Sequence, residues 1–238
     1  RVRETGGRVV LCTGRGAANA IPVLQQLGME GVLLTHNGAS TVRAPGPEVL
    51  HQFGFPCSEL ADVVAYCRSE GVHFDVNTSL KLYIEKAEDA AAAMYERFKI
   101  TPVLVENVLA LEENIVKFTL FGSVEQMDRM EQALAAFGLP DAFHYIRSGE
   151  EFIDVMLAGA TKGNALRTLA ASWGIEAEQI VAVGNYYNDV DMLAFAGLGI
   201  AMDNAPDGVK AAADEVTLSN NEDGVAAALR KHILIPPM

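Results

Sequence analysis

The chain has 238 residues, enough for two domains or one large one, and half of them are hydrophobic, so a sizeable core can be buried. The formal net charge is −13 and Lys and Arg are scattered singly, which excludes a basic surface for nucleic acid or anionic membrane. Three cysteines (Cys12, Cys57 and Cys67) with no CxxC pair exclude a disulfide framework or a zinc site, and no stretch approaches the ~20 apolar residues of a membrane span.

The first strand signal is Arg8-Val9-Val10-Leu11-Cys12, which runs into Thr13-Gly14-Arg15. A helix follows from Ala17 to Leu27, with Pro22 inside it, and Gly28 closes it. Val32-Leu33-Leu34 is the next buried run, ending at Thr35-His36-Asn37-Gly38. Strand, helix and strand at this spacing predict a βαβ unit of a parallel sheet.

The rhythm then changes. Ala44-Pro45-Gly46-Pro47 reads as a linker. Beyond it, helices are expected near Ser58–Ser69, Ala87–Phe98 and Val124–Phe137, and strands near Lys81–Ile84, Ile115–Phe121 and His144–Arg147. This mixture reads as an inserted α+β domain at 44–154. The core rhythm resumes after Phe152–Met156, so 1–43 and 155–238 form a discontinuous α/β core. Its elements are a helix from Thr161 to Gly174, a strand Ile180–Val183, a helix Asn188–Ala196, a strand Gly199–Met202, a helix to Ala213, a short strand Glu215–Thr217 and a closing helix Asp223–His232. The fold class is therefore α/β, a Rossmann-like parallel-sheet core with an α+β insertion.

In open parallel sheets, ligands bind beyond the carboxyl ends of the strands. The residues there are Thr13-Gly14-Arg15, Asn37-Gly38 and Gly184 to Asp189, joined by Thr161-Lys162-Gly163 at a helix start. A threonine hydroxyl beside a glycine and a helix N-terminus offers donors to a phosphate oxygen. Lys162 opposes the helix dipole and calls for an anionic partner. The loop after Val183 offers amide oxygens and Asp189 to a hard cation such as Mg²⁺. A metal beside a lysine and a hydroxyl donor suits phosphoryl transfer. Taken singly, each motif also reads as a turn, a solvated lysine or an Asx-rich helix cap; their order and spacing together are the specific signal. Cys12 reads as core packing, and His36, His51, His73, His144 and His232 read as structural or surface residues.

Thr13-Gly14-Arg15, Asn37-Gly38-Ala39, Lys162-Gly163-Asn164-Ala165-Leu166, Gly184 to Met192 and the tail Ser219 to Val225 together resemble the haloacid dehalogenase-like (HAD) hydrolase superfamily, specifically the Cof-type phosphatases with a large α+β cap. The resemblance spans essentially the whole chain, the cap in pattern only. It implies hydrolysis of a small phosphorylated metabolite, such as a sugar phosphate, with Mg²⁺ and through an aspartyl-phosphate. It also implies roles for particular residues. Thr13 would bind phosphoryl oxygens, Lys162 would neutralise charge on the nucleophile and phosphoryl group, and Asn188 would position the phosphate. Asp189 would support the metal, with Asn185 at the position of the metal-binding aspartate. Gly14, Arg15, Asn37 and Gly38 would lie near the substrate. A cytoplasmic monomer or homodimer is expected, with no nucleic-acid or membrane partner.

Two features depart from the family's pattern. The D-x-D-G-T loop that carries nucleophile and acid/base is not found; the only acidic residue before Thr13 is Glu4. The expectation is that about 30 residues precede Arg1 in the full protein. Asn185 is also a weaker Mg²⁺ ligand than a carboxylate. The alternative reading is therefore a catalytically impaired relative that binds a phosphate ligand or regulates. A dinucleotide-dependent oxidoreductase is disfavoured, because Asn19 stands at the third glycine of the G-x-G-x-x-G pattern and no acidic residue ends the next strand at Leu34.

Overall fold

The computed structural model describes residues 1–87, 89–137 and 139–234. In chain order the first half comprises β1 (Leu11–Cys12), α1 (Ala17–Gln26), β2 (Gly31–Thr35), β3 (Ser40–Ala44), β4 (Glu48–Gln52), α2 (Ala61–Glu70), β5 (His73–Asn77), β6 (Leu82–Ile84), α3 (Asp89–Phe98) and β7 (Val103–Leu104). There follow β8 (Lys117–Phe121), α4 (Val124–Phe137), β9 (Phe143–Gly149), β10 (Phe152–Leu157), α5 (Lys162–Trp173), β11 (Val181–Gly184), α6 (Val190–Phe195), β12 (Leu198–Ala201), α7 (Asp207–Ala211), β13 (Glu215–Val216) and α8 (Gly224–His232). Residue 88, within the expected helix Ala87–Phe98, lies outside the described residues. Among the described residues no helix is long and apolar enough to cross a membrane.

The chain forms two compact units: Arg1–Cys12 with Thr161–Met238, and Thr13–Ala160. The expected boundaries at 43/44 and 154/155 are not those of these units. Residues 13–43 cluster with the insertion because β2 pairs antiparallel with β3, and β3 with β4. Ala39, at the end of that turn, also packs on Val116, Met156 and Ala160. At the other end β10 stays paired with β9 through Leu157. The stretch 44–47, read as a linker, is the turn of the β3–β4 hairpin, closed by Arg43 and Glu48 at 2.6 Å. α1 runs through Pro22: the proline leaves the carbonyl of Ala18 without its helical donor, but Ala18 is exposed and water can serve it.

In the continuous unit (Thr13–Ala160), six strands form a sheet in the order β7-β6-β5-β8-β10-β9, antiparallel except for β6–β7. Side chains alternate between its faces. One face sets Phe74, Val76, Phe118, Leu120, Ile153 and Val155 against Val64 and Cys67 of α2 and Met127, Met130 and Leu134 of α4. The pattern of the other face is polar. The register places Asp75 beside Thr119, Asn77 beside Lys117, and Thr119 beside Asp154.

Asp75, Asn77, Thr119 and Asp154 are buried and Lys117 is partly buried, and they are bonded to one another or to neighbours, as burial in a low dielectric requires. Asn77 Nδ2 donates to Asp75 Oδ1 (2.6 Å), and the Tyr95 hydroxyl of α3 donates to Asp75 Oδ2 (3.2 Å). Thr119 Oγ1 donates to Asp154 Oδ1 (2.9 Å), which also meets Lys117 Nζ at 3.2 Å. His73 Nε2 lies 2.8 Å from the Tyr95 hydroxyl.

In the discontinuous unit, β11, β12 and β13 form a parallel sheet, with Val181 opposite Leu198 and Ala201 opposite Val216. α6 and α7 are its crossovers, as parallel pairing demands. Ala182, Met192, Leu193, Ala201 and Val209 form the core, with Cys12 and Leu166 packed at its edge.

Asp75 makes the continuous unit sensitive to pH. Burial pushes its carboxyl up to about 6, against the opposing pull of Lys117 and of the Asn77 and Tyr95 hydrogen bonds. A folded-state value above the unfolded one means that the native state binds the proton more tightly. The resulting stabilisation is complete below the unfolded value and is lost as pH rises through about 6. Thermal melts between pH 4 and pH 8 should therefore show the wild type losing several degrees of Tm relative to Asp75→Asn as pH rises; parallel curves would show that Asp75 is not the titrating group.

Candidate active site

In the discontinuous unit, α5 starts at a capped turn. Thr161 Oγ1 accepts the N–H of Asn164 at 3.1 Å and leaves Lys162 as the first helical residue. Lys162 is buried, and its Nζ donates to Asp189 Oδ1 at 2.6 Å. A cation at the positive end of a helix is unfavourable alone; Asp189, also buried, supplies the compensating charge.

Asp189 holds its own loop as well. Its Oδ2 accepts the backbone N–H of Asn185 at 2.8 Å and of Tyr186 at 3.0 Å. The approach demands glycine at the end of β11, since a Cβ on Gly184 would lie 2.6 Å from Asp189 Cβ. Two residues on, Asp191 Oδ2 accepts the N–H of Gly163 at 3.0 Å, so successive residues of α5 are tied to alternate residues of the 184–191 segment. Burial pushes the Cys12 thiol up to about 12, although Lys162 pulls it down. That thiol stays protonated and inert, in line with a packing role. Asn185 and Asn188 are exposed.

In the continuous unit, the expected substrate residues come together. Thr13 N–H donates to Leu34 O (2.8 Å), Asn37 N–H to Thr13 O (3.1 Å) and His36 N–H to Arg15 O (3.0 Å). Gly14 faces the Asn37 side chain so closely that a Cβ would come within 2.9 Å of Oδ1. Thr13 Oγ1 accepts the Arg15 N–H at 3.1 Å, which leaves the hydroxyl proton free to donate elsewhere. His36, Asn37 and Gly38 take φ of 50°, 57° and 94°, a left-handed turn that aims Asn37 at the Thr13 loop. Such strain at consecutive non-glycine residues is concentrated at functional sites. Behind the turn, burial, reinforced by Lys117, pushes His36 down to about 3, so its ring is neutral. Nothing in the His36 dipeptide context marks it in the sequence; its importance comes from burial.

Thr13, Gly14, Arg15, Asn37 and Gly38 thus form one cluster, and Lys162, Asn185, Asn188 and Asp189 belong to the other unit. Among the described residues no three His, Cys, Asp or Glu side chains gather as a metal site. Asn185 offers one exposed amide oxygen, and both carboxylate oxygens of Asp189 are engaged, one by Lys162 and the other by two backbone amides, so the two residues would serve a Mg²⁺ ion only as minority ligands. Mg²⁺ accepts such a set when water and phosphate oxygens complete its shell.

The family model described as haloacid dehalogenase-like hydrolase matches residues 1–229. The chain belongs to this family. Among its relatives, 5-amino-6-(5-phospho-D-ribitylamino)uracil phosphatase YbjI of Escherichia coli is 34% identical over 97% of this chain and 85% of its own length. A haloacid dehalogenase-like hydrolase from Bacteroides thetaiotaomicron has a crystal structure that superposes with a TM-score of 0.85 at 28% identity, covering 97% of this chain and 89% of the other. The HAD subclass IIB sugar phosphatase BT4131 superposes at 0.79 with 26% identity, covering 98% and 88%. The resemblance to the Cof-type phosphatases and the parallel-sheet HAD fold are thereby established for this chain.

A HAD hydrolase with this loop should not tolerate Gly184→Ala. The added carbon displaces Asp189 from Lys162, and a loss of about 1–3 kcal/mol is expected from urea unfolding, the scale of overpacking a tight site; an unchanged midpoint would show that the loop relaxes freely.

Proposed function

We propose that the protein is a Mg²⁺-dependent phosphoric monoester hydrolase acting on a small phosphorylated metabolite such as a sugar or polyol phosphate. The observation that carries this reading is the buried Lys162–Asp189 pair. Asp189 takes one of the three ammonium protons, so two remain for an incoming anion. A cation fixed in a water-poor environment stabilises developing phosphoryl charge without having to reorganise.

In this reading a carboxylate attacks phosphorus, the alcohol leaves as its oxygen takes up a proton, and water then cleaves the aspartyl-phosphate to release phosphate. The attacking carboxylate is assigned, by resemblance alone, to the family's D-x-D-G-T loop. Thr13 donates its free hydroxyl proton to a phosphoryl oxygen, and Lys162 offsets the charge shared by nucleophile and phosphoryl group. Asn188 orients the phosphate. Gly14, Arg15, Asn37 and Gly38 are placed near the substrate. Asn185 and Asp189 would hold Mg²⁺, which when bound neutralises phosphoryl oxygens. The α+β sheet within 44–154 is assigned the role of substrate-selecting cap. The names of relatives support the substrate class, since they include a sugar phosphatase and two phosphatases of a phosphoribitylamino-uracil.

Asn185 favours a second reading, in which the site binds a phosphate ligand without turning it over. The full-length protein, given 4-nitrophenyl phosphate and a panel of sugar phosphates, should hydrolyse them with Mg²⁺ and stop with chelator. Lys162→Ala should lower kcat by about 10²–10³. Phosphate binding without any turnover by the wild type would establish the second reading instead.

A further inference from the structure

Among the described residues the exposed aromatic side chains are Phe98, Tyr186 and Tyr187. Two of the three are adjacent, and they sit in the loop that carries Asn185, Asn188 and Asp189. Tyr186 is 57% and Tyr187 59% exposed, so each ring keeps open surface. Their centroids are 5.4 Å apart at 72°, an edge-to-face arrangement.

The loop beneath them is tied by hydrogen bonds. The Tyr186 N–H is bound by Asp189 Oδ2, and Asp189 is bound in turn by Lys162. Tyr187 rests against α7, where a Cβ on Gly208 would be at contact distance, 3.4 Å, from its ring. The pair is thus an apolar corner, one ring edge-on to the other, in the loop held by the buried Lys162–Asp189 pair. A planar ring can lie on the face of one tyrosine and meet the edge of the other, covering apolar surface that is otherwise exposed.

We propose that Tyr186 and Tyr187 form a stacking platform for a planar, aromatic or heterocyclic group of the phosphorylated ligand. The platform makes them specificity-determining residues of the site whose phosphate chemistry is proposed above, and the inference rests on that reading for the phosphate end only. The rings do not touch the reacting atoms. They retain the organic portion of the ligand, and their contribution belongs in binding, not in the chemical step.

Two measurements on the full-length protein test this. In steady-state kinetics with phenyl phosphate and ethyl phosphate, Tyr186→Leu and Tyr187→Leu should raise KM for phenyl phosphate about tenfold, with kcat unchanged and ethyl phosphate unaffected. Tyr186→Phe and Tyr187→Phe, which keep the rings, should behave as wild type. Equal effects on both substrates, or none, overturn the platform. In calorimetry with the non-hydrolysable phenylphosphonate and methylphosphonate, the wild type should prefer the phenyl compound about tenfold, and the Leu variants should lose that preference. Preference without turnover leaves the platform standing and sinks only the phosphatase reading. Equal affinity for the two phosphonates, or binding of neither, overturns the platform whatever the enzyme assay shows.

Discussion

A buried ammonium and a buried carboxylate in contact constrain everything around them. Removing each from water costs several kcal/mol, and their mutual attraction compensates only when geometry is close and the remaining lone pairs are satisfied. Lys162 and Asp189 meet both conditions: 2.6 Å between charged atoms, and two backbone donors on the second carboxylate oxygen. The surrounding sequence follows from this pair. Thr161 sets where the helix starts, Gly184 makes room for the carboxylate, and Asp191 fixes the backbone beside the lysine. The same contacts that stabilise the pair hold the lysine's spare protons in one place.

The continuous unit solves the same problem differently. Its sheet has one face of the ordinary kind, apolar and packed under α2 and α4. The other is a row of polar groups on alternate positions of three neighbouring strands, buried and bonded across the register. No single pair dominates. Lys117 neutralises Asp154 at 3.2 Å, and Asp75 is left to amide and phenol donors, with no cation in contact. Burial therefore raises its pKa, and its hydrogen bonds and the charge of Lys117 offset only part of that rise.

Much of this was legible in the sequence. The strand and helix rhythm from Lys162 to His232 reads off directly, because short apolar runs alternate with punctuated helices and each element is local. The residue clusters at loop ends could be named for the same reason: glycines, amides and a helix-start lysine are unusual together. Less legible were elements whose residues deny their burial. β5 reads His-Phe-Asp-Val-Asn, a solvent-facing alternation, yet all five residues are buried, since its polar half is satisfied by neighbours distant in sequence. The β3–β4 hairpin was hidden by Pro45 and Pro47, which mark a turn as readily as a linker. His36 carries no sequence signal at all, since its neutrality comes from what surrounds it.

The paired tethers of α5 also bear on how the chain can change length. Asp189 and Asp191 grip adjacent residues of one helix from alternate positions on another segment. A residue inserted or deleted between them would turn one carboxylate away from its partner, because successive side chains on a turn point in different directions. The connection Ile175–Ile180 between α5 and β11 carries no such double anchor to the site. Length variation among natural homologues of this chain should therefore collect in that connection and spare the span from Gly184 to Asp191.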